Sequence, residues 1–273
     1  MNQRPTIGVF DSGFGGLTVL KALLELIPDA DYLYFGDTAR LPYGSKSVET
    51  VARYAVEAAH YLEDNGAELL VIACNTATAL ALDRIKAAAH VPVVGVVEPG
   101  AVAAASVSKN KKVVVIGTEA TVRSHAYRKA LEARSLDARE KACPLLVPLV
   151  EEGWVEHAVT EQVAGIYLNE AFSDGFGDAD ALVLGCTHYP LLKPLLRRVA
   201  PAHVSIVDSA ESTAHAVAGH LKLLLPASIA HEERRAHPRL KFFATDSVDK
   251  FQRLGERFLG HPIEDVKHID LKE

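Results

Sequence analysis

Three features of this sequence predict an α/β protein of two similar lobes. Each lobe would carry a mainly parallel sheet, the two related by a pseudo-two-fold with the active site in the cleft between them. Short apolar runs alternate with segments of helical periodicity along most of the 273 residues, as parallel sheets with right-handed crossovers require. The alternation then begins again near residue 111 with similar spacings. Finally, Cys74 and Cys186 stand 112 positions apart, each where an apolar run breaks into small polar residues, as LLVIACNTAT and ALVLGCTHYP.

In chain order, TIGVF reads as a strand and DSGFGG as a glycine-rich turn, followed by a helix with Leu17, Leu20, Leu23, Leu24 and Ile27 at helical spacing. DYLYFGD is a second strand with a polar end. Val51, Tyr54, Ala55, Ala58 and Leu62 mark a helix, Leu69 to Ala73 a strand, and TATALALDRIKAAA the helix after Cys74. VPVVGVVEPG is expected to close the unit as a strand ending at Glu98. The second unit opens with KKVVVIGTEAT as strand and turn, then a helix carrying Tyr127. Pro144 to Pro148 is expected as a short strand and Val155 to Phe172 as a helix. ALVLGCTHYP is the second cysteine strand, and HVSIVDSAES ends its strand at Asp208.

From turn to cysteine the two units span 63 residues (Asp11 to Cys74) and 68 (Thr118 to Cys186), and from cysteine to closing acid 24 and 22. That points to a degenerate duplication with a period of roughly 110 residues. The expected division is a first lobe of residues 1–97, with 207–273 packing back on it, and a second lobe of residues 98–206. In the last segment, LKFFATD reads as a strand and Phe251, Leu254 and Phe258 as one face of an amphipathic helix. His231 and His237 are expected in a solvated loop.

Composition narrows the function. A content of 49% hydrophobic and 23% charged residues is ordinary for a globular protein. A net charge of −6 with a pI near 6.1 leaves no basic footprint for nucleic acid. No apolar run approaches the roughly 18 residues of a membrane span, and the start lacks the order of a signal peptide. Three cysteines without short repeated spacing suit reduced thiols in a cytoplasm better than a disulfide framework. Cys143 reads as a structural core residue.

An apolar strand that ends in Cys followed by a turn into a helix puts the sulfur at the carboxyl edge of a sheet, where open α/β folds bind ligands. A helix N-terminus close by favours the reactive thiolate. Two such thiols facing one substrate could exchange one proton from opposite sides. Asp11 and Ser12 stand at the first strand end, where glycines permit close backbone approach and free N–H groups can meet a carboxylate; an N-capping Asp in a simple turn explains them equally. Asp37 ends the second strand, and Pro42, Tyr43 and Gly44 form a turn that offers a hydroxyl and N–H groups. His188, two residues after Cys186, suits general acid/base work better than a zinc site, which would need further ligands. Glu152 in EEGW either reaches the cleft or faces water. No Lys stands in an evident cofactor motif, so neither a pyridoxal Schiff base nor any other cofactor or metal is indicated.

FDSGFGGL, LPYG, ACNTAT and LGCTHYPLL, in this order and spacing, resemble the glutamate racemases of the cofactor-independent amino-acid racemase superfamily. The resemblance runs along nearly the whole chain, including TDS at Thr245 to Ser247. It implies interconversion of L- and D-glutamate without pyridoxal phosphate, for peptidoglycan, by a cytoplasmic homodimer. It further implies Cys74 and Cys186 as the acid/base pair, Cys74 acting on the D-isomer and Cys186 on the L-isomer, with Asp11 and His188 as proton-handling neighbours. Asp11, Ser12, Pro42, Tyr43, Gly44, Asn75, Thr76, Thr118, Thr121, Thr187 and His188 match substrate-binding positions, and Asp37 and Glu152 match auxiliary acids. The residues leave other readings open: a racemase for aspartate or another acidic amino acid, a non-catalytic amino-acid-binding regulator, or a hydrolase with one cysteine nucleophile.

Overall fold

The computed structural model describes residues 4–224 and 238–271, so the expectations for His231 and His237 fall outside the described residues. The first unit runs β1 (Thr6–Asp11), α1 (Leu17–Leu26), β2 (Asp31–Gly36), α2 (Val48–Asp64), β3 (Leu69–Ile72), α3 (Asn75–Ala88) and β4 (Val93–Gly95), then α4 (Val97–Val107). The second runs β5 (Lys112–Gly117), α5 (Glu119–Ser124), α6 (Ala126–Glu132), β6 (Asp137–Ala142), α7 (Leu146–Glu151), α8 (Ala158–Ala171), β7 (Ala181–Gly185), α9 (Lys193–Val199) and β8 (Ser205–Asp208). After α10 (Ser209–Leu224) come β9 (Leu240–Ala244), α11 (Val248–Leu259) and β10 (Val266–His268).

Among the described residues two sheets form, both wholly parallel, with strand orders β10-β9-β2-β1-β3-β4 and β6-β5-β7-β8. The run β2-β1-β3-β4 matches β6-β5-β7-β8 strand for strand. Helices cover both faces of each sheet, which is why the central strands are apolar throughout rather than alternating. Val113, Val114, Val115 and Ile116 of β5 are all fully buried, and each such side chain contributes roughly 1.5–3 kcal/mol relative to exposure. The chain leaves the second sheet at Asp208, crosses as α10 between α1 and α4, and returns to add β9 and β10 beside β2.

Three local expectations are corrected. The apolar stretch at Pro144 to Pro148 is not a strand: Leu146–Glu151 is helical, with Pro148 in its first turn, where a missing N–H costs nothing. The edge strand is instead DAREKA, whose Arg139, Lys141 and Glu140 pair with Asp174, Glu170 and His125. The strand expected to end at Glu98 stops at Gly95, and Glu98 lies in the first turn of α4, paired with Arg134. The helix carrying Tyr127 is divided into α5 and α6 at His125, which takes a left-handed conformation with φ 55°. No helix among the described residues is long and apolar enough to cross a membrane.

Candidate active site

The carboxyl ends of β1, β3, β5 and β7 converge on a cavity of about 440 Å³, within the usual range for small-molecule sites. Its lining includes Ser12, Pro42, Tyr43, Gly44, Cys74, Asn75, Thr76, Thr118, Cys186, Thr187 and His188. Thr121 and Asp37 stand behind this wall. Asp11 is buried at the end of β1, with Oδ2 accepting from the Gly13 N–H at 2.9 Å and Oδ1 without a hydrogen-bond partner among the described residues. Burial raises the Asp11 pKa, against the charge of His188 and the N–H groups of Gly16, Gly13 and Ser12.

Cys74 is itself the N-cap of α3, its Sγ accepting from the Ala77 N–H at 3.4 Å and lying 3.5 Å from Ser12 Oγ. Burial, then the charge of Asp11, pushes this thiol up to about 12, so it holds its proton in the resting site. Cys186 follows β7 and sits 4.0 Å from His188 Nδ1, while His188 Nε2 lies 3.3 Å from Glu151 Oε1. Burial alone would lower His188; hydrogen bonds to Cys186 and Glu151, and their charges, outweigh it and push the imidazole up to about 10. The two sulfur sites therefore differ, with a buried carboxyl beside one and an imidazolium beside the other.

Contacts between the two halves, and within the first, fix the remaining side chains. Thr76 Oγ1 meets Thr118 Oγ1 at 2.9 Å and Thr121 Oγ1 at 3.4 Å, and Thr118 meets Thr121 at 2.9 Å. Tyr127 Oη donates to Asn75 Oδ1 at 2.7 Å, and Asn75 Nδ2 donates to Ser209 Oγ at 3.4 Å. Tyr43 does not offer a free hydroxyl donor to the cavity, because Oη donates to Asp37 Oδ2 at 2.5 Å. Asp37 is fully buried, receives Thr245 Oγ1 at 2.9 Å, and so anchors the Pro42-Tyr43-Gly44 turn from behind.

Glu152 is exposed; the preceding Glu151 lines the cavity and meets His188. On a helix, residues 147 and 151 share a face that 152 does not, and Val147 lines the cavity with Glu151. Lys250 of α11 is a further lining residue not foreseen from sequence. Close approach of the halves depends on Gly15, where an added Cβ would stand 2.3 Å from Thr187 Oγ1 and 2.5 Å from His188 Nδ1.

Comparison with known proteins agrees with this fold. The family model described as Asp/Glu/hydantoin racemase matches residues 7–217. A glutamate racemase from Koribacter versatilis is 61% identical, with 98% of each chain covered. A glutamate racemase isoform from Bacillus anthracis superposes with a TM-score of 0.89 at 38% identity over 98% of each chain. The Francisella tularensis glutamate racemase, solved in complex with D-glutamate, gives 0.87 at 34% identity over 99% of this chain and 98% of its own. With paired strand-end thiols, a matching fold and relatives of this similarity along the full length, the chain belongs to the Asp/Glu/hydantoin racemase family of isomerases and stands among its glutamate racemases.

Proposed function

We propose that this chain interconverts L- and D-glutamate without a cofactor, Cys74 and Cys186 acting as acid and base on opposite faces of Cα. One observation carries the reading: the two thiols end matching strands of two like-ordered sheets and line one cavity. Inversion at carbon requires proton removal on one face and delivery on the other, so two side chains suffice. On the L-isomer Cys186, with the His188 imidazolium 4.0 Å away, takes the α-proton as base. Cys74 is then the acid, and for the D-isomer the roles exchange, with Asp11 accepting or returning the proton load. The unactivated α-proton is a weak acid, and each pKa unit of mismatch is about 1.4 kcal/mol that fixed N–H donors and exclusion of water must offset.

Cytoplasmic supply of D-glutamate for peptidoglycan, by a homodimer, completes the proposal, supported by the full-length similarity to glutamate racemases. So does the division into a lobe of 1–97 with 207–273 and a lobe of 98–206, supported by the sheet to which each strand belongs except at β8, which the 206/207 boundary cuts. Ser12, Thr118 and the other matched residues that line the cavity are the proposed substrate contacts, with Asp11 and Thr121 packed directly behind them and Asp37 and Glu151 as supporting acids.

The test is racemisation in deuterated water, beginning from either enantiomer. Optical activity should decay to zero while solvent deuterium enters Cα, faster with glutamate than with aspartate. Retained optical activity with a folded sample would sink the proposal, and a higher rate with aspartate would replace glutamate as substrate.

Gly15→Ala probes how tightly the halves must meet. The added methyl clashes with Thr187 and His188, and displacing a positioned group by about 1 Å can cost about 10²-fold in rate. A fall of that order in kcat, with cooperative melting retained, is expected; kcat within twofold of wild type would show that His188 need not sit where it does.

A further inference from the structure

Lys250 is the only lysine or arginine among the described residues that line the cavity. It belongs to the first turn of α11, a helix that follows β9 of the first sheet, yet its ammonium reaches the α7 side of the cleft. Nζ lies 3.5 Å from Glu151 Oε2, while Oε1 of the same carboxylate is 3.3 Å from His188 Nε2. His188 Nδ1 then faces Cys186 Sγ at 4.0 Å. Lys250 Nζ also stands 5.3 Å from the centre of the Phe14 ring, a cation–π contact that holds it over the mouth.

Two neighbours on α11 reinforce the same contact. Arg257 Nη1 donates to the Glu151 carbonyl at 3.3 Å, and Phe258 sets its edge against the His188 ring with centroids 5.1 Å apart. Glu151 is thus gripped at its backbone and at one carboxylate oxygen, which leaves the other oxygen for His188.

We infer that Lys250 is a positioning residue: its ammonium holds the Glu151 carboxylate as a bridge to His188 and so tempers the charge that His188 feels beside Cys186. The inference rests on the reading of Cys186 and His188 as one acid/base side. The charged and titratable groups facing His188 are Cys186 from its own turn, Glu151 from α7 and Asp11 from the end of β1, while Lys250 and Arg257 from α11 meet Glu151. Within this set Lys250 is the cation that draws on the carboxylate His188 uses. Glu151 is held below the ordinary carboxylate range because the hydrogen bond and charge of His188, followed by Lys250, outweigh its burial. Without the ammonium, the full carboxylate charge acts on His188, and the imidazolium persists to higher pH.

Cys74 and Cys143 replaced together by alanine leave Cys186 as the single thiol of the chain. In that background the rate of alkylation by iodoacetamide reports the Cys186–His188 pair, independently of catalysis. Lys250→Met should move the alkaline inflection of the alkylation profile up by about half to one pH unit, the size expected for loss of one partly screened charge nearby. Lys250→Arg should restore it, and the melting temperature should stay within about 2 °C throughout. The same upward move is expected in the pH profile of kcat/KM for L-glutamate with Lys250→Met in the otherwise unaltered enzyme. An alkylation profile that superposes on that of the parent, or a shift that Lys250→Arg fails to reverse, would overturn the inference. Absence of racemisation in the unaltered enzyme would defeat the reading of the site, while the alkylation profile would still decide the role of Lys250.

Discussion

Cys74→Ala and Cys186→Ala are each expected to lower racemisation by at least about 10³-fold while leaving circular dichroism and cooperative melting unchanged. A positioned acid or base contributes roughly 10²–10⁴-fold, and inversion has no route that uses one thiol alone. Each variant should nevertheless retain half of the chemistry. With Cys74 absent, Cys186 can still remove and return the proton of L-glutamate on one face, so deuterium should enter L-glutamate without inversion. With Cys186 absent, the same exchange should appear in D-glutamate only. Cys143→Ala supplies the control: its thiol is fully buried, pushed up to about 12 by burial, and lies 3.6 Å from the Lys141 carbonyl, outside the cavity lining. It should cost about 1 kcal/mol of stability, a typical value for a buried truncation of one atom, and leave kcat within twofold. Comparable loss of activity from all three would make the cysteines structural.

How far the sequence carries this site is clearest at the two cysteine strands. An apolar run that ends in a small polar residue has few alternatives to a buried strand meeting a turn, and both runs became β3 and β7 with their sulfurs at the carboxyl edge. The duplication was readable because spacing survives when side chains diverge, and it appears as the shared strand order of the two sheets. It also explains a pairing that spacing did not expose. Asp37 follows β2 and Cys143 follows β6, equivalent places in the two units. The first keeps a buried acid that orders a cavity turn, whereas the second is part of the core.

The failures have a common cause in tertiary context. PLLVPLV has strand composition, yet Pro148 is tolerated in the first turn of a helix, and that helical phase selects Glu151 over Glu152 for the cavity. DAREKA is charged at four of its six positions, three of them consecutive, and only its place at the sheet edge, with ion partners in α8 and the turn after it, makes it a strand. Lys250 was invisible because the amphipathic face of Phe251, Leu254 and Phe258 defines what α11 buries, and says nothing of which helix lies across from its next residue. Gly15 was one of several glycines in a turn. Its need for no side chain comes from Thr187 and His188, which lie more than 170 residues later in the chain.

Asp11→Asn and His188→Asn should impair proton transfer on opposite faces, and the asymmetry must be sought in the right observable. The enantiomers have equal free energies in water, so kcat/KM for the two directions must fall together in any variant. Isotope effects carry no such constraint. His188 lies beside Cys186, and its loss removes the cation that steadies the thiolate taking the proton of L-glutamate. The primary isotope effect with L-[2-²H]glutamate should rise toward its intrinsic limit, because that transfer becomes the slower of the two, while the effect with D-[2-²H]glutamate shrinks. Asp11 raises Cys74 through its charge and stands at the other strand end. Making Cys74 a thiolate at pH 8 costs about 5 kcal/mol if that thiol titrates near 12, so the D-direction depends on a neighbour able to take charge or proton as substrate arrives. Asp11→Asn deletes that acceptor and should raise the isotope effect with D-[2-²H]glutamate instead, with kcat lowered by about 10²-fold. Equal isotope effects in both directions for both variants would detach Asp11 and His188 from their separate thiols while leaving the two-thiol chemistry standing.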